Sequence, residues 1–583
     1  MNQNNVLYID LERKSFHVKN RSELFNEWLG GVGVALQLYK EEAVKGADPF
    51  DPGNSIVFAT GPLTDFYPLA SKVVAVFKSP LTGNYGESHA GGRSATAIRS
   101  AGYEAIVIKG VSDRPIYLVI SEKGVQFRDA ATLWGMRSTY TVGRVLREAL
   151  PGAGLRTIMR IGRAGEKLVR YACVVTETYR HFGRMGLGAV FGSKKLKALM
   201  VHGKSSIRVP QIKVYRDAYD EIYGLAVRSD SMKKYHELGT AMNVLPMNAL
   251  GALPTRNLSE ARFEGAERIS GEDLATNKLG RRVACSHCPV ACIHLATIRD
   301  PYPDEPYFYK TTFVSYDYEP LYSLGSMLGI SDINNLLKLM DEVEVGGLDA
   351  ISTGVALAWA TEAYKRGLVK LNDVLLDLDW GRADAYREAV KLITDQPNEF
   401  YKALAMGVDY TSKIYGGREF ALSFGGNEMP GYHTGPAVYI GYLIGSRHSH
   451  LDGAGYSIDQ KMKDLSPEEL VDKLIEEECW RQILSSLVVC YFARKIYEPS
   501  IVKKALNALG YEFDEERLKE LGRRIYEEKQ ALKASEGFKP TELKIPERIF
   551  EVQTFHGLID KNYIKAALEY YSKIFNKIME KTF

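Results

Sequence analysis

Cys285-Ser-His-Cys288-Pro-Val-Ala-Cys292 packs three of the chain's six cysteines into eight residues. Two residues separate the first pair and three the second, so one tight loop can bring the three thiols together, and cubane clusters are commonly closed by a fourth thiolate from elsewhere in the chain. Cys490 is the better fourth thiol, because Cys479 sits inside the polar helical stretch Glu476-Glu477-Glu478-Cys479-Trp480 and Cys173 stands outside the pattern. The four read as ligands of one iron–sulfur cluster. A structural zinc site remains the alternative, although zinc usually takes two Cys-x-x-Cys knuckles close together. A disulfide framework would need far denser cysteine. The radical-type cluster motif has its gaps in the opposite order, three then two, which argues against radical chemistry on S-adenosylmethionine.

Outward from this loop the chain changes character. Its first two hundred or so residues are β-rich, with runs such as Val6-Leu7-Tyr8-Ile9, Val73-Val74-Ala75-Val76-Phe77 and Ala105-Ile106-Val107-Ile108 set between Gly, Pro and Asn turns. From Val209 the pattern is helical, as in Glu468-Glu469-Leu470-Val471-Asp472-Lys473-Leu474-Ile475 after the Ser466-Pro467 start. The expected plan is a β-rich domain over 1–208, a helical domain with the cysteine loop over 209–415, and a second helical domain over 416–583. No internal repeat is visible. With 45% hydrophobic residues, 583 residues supply apolar mass for two or three cores. No apolar run approaches the roughly 18 residues needed to span a bilayer, and Met-Asn-Gln-Asn-Asn lacks a signal-peptide profile, so a cytoplasmic protein is expected. Net charge is only +3, too balanced for a nucleic-acid coat. Abundant Lys and Glu with sparse Gln point to a hot environment.

Two glycine-rich stretches could cradle an anionic cofactor: Gly86-Glu87-Ser88-His89-Ala90-Gly91-Gly92-Arg93 and Arg180-His181-Phe182-Gly183-Arg184-Met185-Gly186-Leu187. Glycine allows close backbone approach, and a following helix start favours phosphate. Tight turns and bulges use glycine equally. A third stretch, Glu344-Val345-Gly346-Gly347-Leu348-Asp349, ends one apolar helix and begins another, where Asp349 can serve simply as a cap.

Taken together these pieces, in this order, resemble the tungsten-containing aldehyde:ferredoxin oxidoreductase family. The resemblance runs from Leu29-Gly30-Gly31-Val32-Gly33 to Cys490. It implies an α+β fold, with a β-rich base domain and two mainly helical domains enclosing a bis-pterin tungsten centre. The cofactor residues it implies are Lys72, His89, Ala90, Gly91, Arg180, His181 and Gly183. Two pterin clamps add Glu344, Leu348 and Asp349, then Ser485, Val489 and Cys490. Backbone carbonyls at His89 and His181 would reach a magnesium ion bridging the pterin phosphates, which suits a hard cation. Lys72 stands where the family usually has arginine, keeping the charge but losing the bidentate fork.

Departures from the family are concentrated at the active centre. The second clamp, Ser485-Ser486-Leu487-Val488-Val489-Cys490, has lost its carboxylate and its glycine. The family's His-Val-Lys-Gly-x-Glu-x-Pro reads Ser423-Phe424-Gly425-Gly426-Asn427-Glu428-Met429-Pro430, without histidine or lysine. Glu319, in Tyr316-Asp317-Tyr318-Glu319, is the expected proton-handling carboxylate, with Asp317 its rival. His433 and His448 are the expected replacements for the missing histidine, ahead of His450.

The resemblance implies oxidation of a small-molecule aldehyde, electrons passing through one 4Fe-4S cluster to ferredoxin or an iron–sulfur partner subunit. A reductase acting on carboxylic acids or ring substrates is the alternative on the same centre. A zinc-stapled binding scaffold is the alternative from another class. A homo- or hetero-oligomer fits either.

Overall fold

The computed structural model describes residues 4–150, 155–176, 179–302, 304–461 and 464–582. Strands β1 (Asn5–Asp10), β2 (Ser15–Asn20), β3 (Ile56–Ala59), β4 (Val73–Lys78), β5 (Tyr85–Ala90) and β6 (Ala105–Lys109) form one sheet in the order 2-1-6-3-4-5. A second sheet of six, β7 (Ile116–Ser121), β8 (Gly124–Asp129), β9 (Arg156–Arg160), β10 (Val174–Val175), β11 (His181–Phe182) and β12 (Leu196–His202), has the order 8-7-12-9-10-11. Both faces of β3, β4 and most of β6 are buried, which is why these strands read as continuous Val/Ile runs rather than alternating ones.

The two sheets are one motif built twice, a repeat that the sequence reading did not expect. In each, a hairpin opens the unit, the last strand pairs parallel with the first, and the other pairings are antiparallel. What recurs is backbone topology, while the buried side chains have diverged. The register aligns the halves residue by residue. Val74 pairs with His89 in the first and Val175 with His181 in the second, so His89 corresponds to His181 and Gly91 to Gly183. By the same count Lys72 corresponds to Cys173.

The remainder is mainly helical, apart from an unanticipated three-stranded sheet of Leu279–Val283, Ile293–Tyr302 and Glu305–Tyr316 and a two-residue ribbon of Ser423–Phe424 with Asn427–Glu428. The cysteine loop joins its first two strands. One hydrophobic core runs through helical residues on both sides of position 415, from Ala241 to Ile578. The same cluster takes in Ala164, Tyr171 and Ala189 of the base, so buried packing is continuous across position 208 as well as position 415.

Two helix ends seat this helical part on the base, and they match each other as the sheets do. Helix Ile333–Gly346 ends in Gly347 at φ 75°, and helix Pro467–Ser486 runs through Leu487 to Val488 at φ 53°. The Cys173 amide donates to the Gly347 carbonyl at 2.9 Å, and the Lys72 amide to the Val488 carbonyl at 3.1 Å. Glycines on the base allow this contact. A Cβ on Gly162 would lie 2.2 Å from the Gly346 carbonyl oxygen, and one on Gly61 would lie 2.6 Å from that of Leu487.

Candidate active site

Where the matching edges β5 and β11 approach each other, the two helix ends and the cysteine loop enclose a cavity of about 620 Å³. All four expected cluster cysteines line it, as does Cys173, which is buried in the base, whereas Cys479 is buried in helix Pro467–Ser486 away from it. The loop is tightly folded, with His287 and Ala291 at positive φ. The Gly92 amide donates to Cys285 Sγ at 3.1 Å, and the Ser286 amide to the Gly92 carbonyl at 2.8 Å. Leu69 bridges to the late cysteine: its amide donates to the His287 carbonyl at 3.2 Å, and its carbonyl accepts from the Cys490 amide at 2.8 Å.

Burial pushes the Cys288 thiol up to about 12, helped by Cys285 and Cys490, and raises Cys292 as well. Crowded buried thiols of this kind become stable thiolates when a metal supplies the compensating charge. Among the described residues no three His, Cys, Asp or Glu side chains converge on one point that could hold a single metal ion. Four thiols around a shared space, without a common focus, suit a cluster with several irons better than one zinc. All six cysteines are free thiols.

Lys72 stands beside the cluster loop. A Cβ on Gly91 would lie 3.0 Å from Cys285 Sγ and 3.2 Å from Lys72 Nζ, so glycine here lets the cation approach the thiol. His181 Nε2 meets Glu344 Oε2 at 2.8 Å, pairing the second half of the base with the first clamp. In the other half His89 meets Glu87 of its own strand at 2.6 Å. Asp349 accepts from the Ile351 and Ser352 amides at 3.1 and 3.3 Å, so it does cap the helix, and it also faces the cavity. Helix-end register pairs Asp349 with Cys490 and Glu344 with Ser485. Gly183, Leu348 and Val489 also line the cavity.

Several buried polar atoms on the wall have no protein partner: Arg180 Nη2, Arg184 Nη1, Arg481 Nη2, Asn427 Oδ1 and His450 Nδ1. Three are guanidinium donors, the groups that suit phosphate and other oxyanions. Burial works against the Arg180 charge, but the Asp317 carboxylate outweighs it and holds the guanidinium ionised. A cavity of this size, with these four thiols and three guanidinium nitrogens left without a protein partner, fits a cluster beside a phosphate-bearing cofactor. Arg481 stands in no motif; Arg184 lies inside the second glycine-rich stretch, Arg447 beside His448 and Tyr432 beside His433, and nothing in the sequence distinguishes them from their neighbours.

Asp317 and Glu319 both reach the cavity, with different freedom. Asp317 Oδ2 accepts from Arg180 Nη1 at 2.6 Å and Oδ1 from Thr240 Oγ1 at 2.9 Å, which occupies both oxygens. Glu319, in the first turn of helix Tyr318–Leu324, has only long contacts through Oε1, 3.3 Å from the Tyr432 hydroxyl and 3.3 Å from His450 Nε2. The expected histidines His433 and His448 are not brought to the cavity. His433 is buried between the Tyr439 hydroxyl at 2.5 Å and the Val552 carbonyl at 3.1 Å. His448 is buried against the Tyr442 carbonyl at 2.9 Å and Lys533 Nζ at 3.2 Å. His450, ranked behind both, is the one facing Glu319. Ser485 does not line the cavity; its hydroxyl meets that of Tyr491 at 2.5 Å, and Tyr491 does. The Ala90 side chain is packed in the core of the base.

No helix among the described residues is long and apolar enough to cross a membrane. Residues 6–203 match the family described as aldehyde ferredoxin oxidoreductase, N-terminal domain, and residues 217–575 match its domains 2 and 3. The chain is 30% identical over 552 residues to the tungsten-containing aldehyde ferredoxin oxidoreductase of Thermococcus kodakarensis, covering 91% of this chain and 88% of that one. It is 28% identical over 555 residues to an aliphatic sulfonate oxidoreductase, WOR-like subunit, of Pyrococcus furiosus, covering 89% and 84%. The active site complex BamBC of benzoyl coenzyme A reductase shares the fold at a TM-score of 0.84 and 19% identity, covering 98% of this chain and 94% of that one.

Proposed function

The chain belongs to the aldehyde ferredoxin oxidoreductase family, and from that premise we propose that it oxidises aldehydes to carboxylic acids, passing electrons to ferredoxin or an iron–sulfur partner. Aldehyde and water give the acid, two protons and two electrons. The observation that carries this reading is one cavity lined by the thiols of Cys285, Cys288, Cys292 and Cys490, by three guanidiniums that each keep one unpartnered nitrogen, and by the Glu319–His450 pair.

When bound, a tungsten bis-pterin would supply the two-electron acceptor, and a 4Fe-4S cluster the one-electron exit. Cys285, Cys288, Cys292 and Cys490 would hold the cluster. Arg180, Arg184 and Arg481 would meet cofactor oxyanions, with magnesium on the carbonyls of His89 and His181. Glu344 and Asp349 would grip one pterin, and Tyr491, backed by Ser485, the other.

In this reading Glu319 takes a proton from water as the water oxygen adds to the aldehyde carbon, through Oε2, since the long contacts to Tyr432 and His450 fall on Oε1. His450 Nε2 and the Tyr432 hydroxyl steady the carboxylate for that transfer. Asp317, with both oxygens committed, holds Arg180 in place. General acid–base assistance is worth about 10²–10⁴ in rate, so Glu319→Gln is expected to cut turnover by that factor with tungsten and iron contents unchanged. His450→Asn should slow turnover too, whereas His448→Asn should not act through the chemistry. Near-normal turnover by fully metallated Glu319→Gln enzyme would remove Glu319 from the mechanism.

A further inference from the structure

The cysteine loop is flanked by exposed cations on three segments. On one side helix Asp230–Leu238 carries Lys233 and Lys234, both exposed. This helix touches the loop directly, since His236 Nδ1 meets the Val290 carbonyl at 2.8 Å. Exposed Arg282, on strand Leu279–Val283 leading into the loop, donates from Nε to the His236 carbonyl at 3.0 Å. From the late-cysteine side, Phe492 stacks on Tyr235 of the same helix, with ring centroids 4.4 Å apart. That contact brings Arg494 and exposed Lys495 alongside. The carboxylates on these segments are Asp230 and Glu237, and Asp230 is already 3.6 Å from Lys233. Four exposed cations, Lys233, Lys234, Arg282 and Lys495, thus sit on three segments that flank the cysteine loop and the turn of Cys490, with half-buried Arg494 lining the cavity between them, in a chain whose net charge is only +3.

We propose that this collar is the docking surface for a diffusible, acidic iron–sulfur electron carrier. The inference deepens the proposed function, on which its biological meaning rests. Charge complementarity around a redox centre raises encounter rate and orients a partner without locking it in place. Transient electron-transfer contacts are small and charged, while permanent subunit interfaces are large and apolar. Lysines on an exposed helix face fit the first kind. Bringing an acidic carrier here would set its cluster against the part of this chain where the thiols come nearest the surface.

The experiment measures binding of an acidic 4Fe-4S ferredoxin to the anaerobically purified holoenzyme by calorimetry, and the KM for that ferredoxin in aldehyde oxidation. The variant Lys233→Glu/Lys234→Glu/Lys495→Glu alters exposed side chains outside the catalytic and cofactor-binding set. The control, Lys573→Glu/Lys577→Glu/Lys581→Glu, makes the same change in net charge on the exposed face of helix Lys561–Thr582. The collar variant is expected to weaken ferredoxin binding and raise its KM at least tenfold, with viologen-linked turnover unchanged and the control near wild type. Wild-type binding should also weaken steeply with added salt. Equal binding by collar variant and wild type, or equal loss in the control, would overturn the proposal. If the holoenzyme oxidises no aldehyde, the oxidation reading fails, while the calorimetric comparison still decides the docking surface.

Discussion

Histidine positions show how far single residues can be read. Ser446-Arg447-His448-Ser449-His450 puts two histidines two apart, and only backbone conformation decides which faces Glu319. His448 sits at φ 55°, in a turn that sends its ring toward Gly425, where a Cβ would lie 2.4 Å from the imidazole. The glycine that replaces the family's lysine region therefore makes room for His448, and His450 is left to the cavity. Sequence spacing could not reveal that swap, since it depends on a contact between distant turns. His433 carries a testable consequence of its burial. Desolvation lowers its pKa to about 4, so the folded chain keeps it neutral while the unfolded chain takes up a proton near 6.5. Between those values the unfolded state binds more protons, so stability is lost as pH falls from about 6.5 to about 4, by up to about 3 kcal/mol. The His433→Asn variant lacks that contribution. The gap in Tm between wild type and variant is expected to narrow as pH drops from 7 to 4.5, and parallel curves would contradict the assignment.

At the scale of elements, the clamps were legible as motifs but not as equivalents. The sequence shows Glu344-Val345-Gly346-Gly347-Leu348-Asp349 as a helix–turn–helix with Asp349 as cap, and so it folds. Its partner had drifted in chemistry, and only the matching amide contacts from Cys173 and Lys72 show that the backbone turn is conserved between the two ends. The drift leaves a trace in conformation. Val488 occupies the left-handed region where Gly347 stands in the first clamp, and a β-branched residue is strained there. Val488→Ala removes buried methyls and keeps the strain, while Val488→Gly removes more side chain but relieves it. The glycine variant is expected to be the more stable by about 1 kcal/mol, as read from paired thermal melts. An alanine variant as stable as the glycine one would mean that the turn is not strained. At this second helix end Ser485 stands behind Tyr491, which faces the cavity, an arrangement that motif letters alone do not expose.

For the whole molecule, composition and patterning were enough for a β-rich base under a helical part, and the cysteine spacing was enough for a tight loop whose three thiols share one cavity with Cys490. Hidden from the sequence were the doubled topology of the base and the continuity of the helical core, because both arise from pairings between segments far apart in the chain. The cavity is where these pairings meet, and the account stands on its being one redox centre rather than two unrelated sites. Anaerobic stopped-flow mixing of the oxidised holoenzyme with excess aldehyde, without any external acceptor, tests this most directly. Thiolate-ligated iron absorbs broadly near about 400 nm and bleaches on reduction. The account predicts that aldehyde bleaches this band in wild-type enzyme, and that Glu319→Gln enzyme with the same metal content bleaches at a rate about 10²–10⁴ lower. A fully metallated wild-type enzyme whose cluster stays oxidised in the presence of aldehydes, yet is reduced by dithionite, would contradict it.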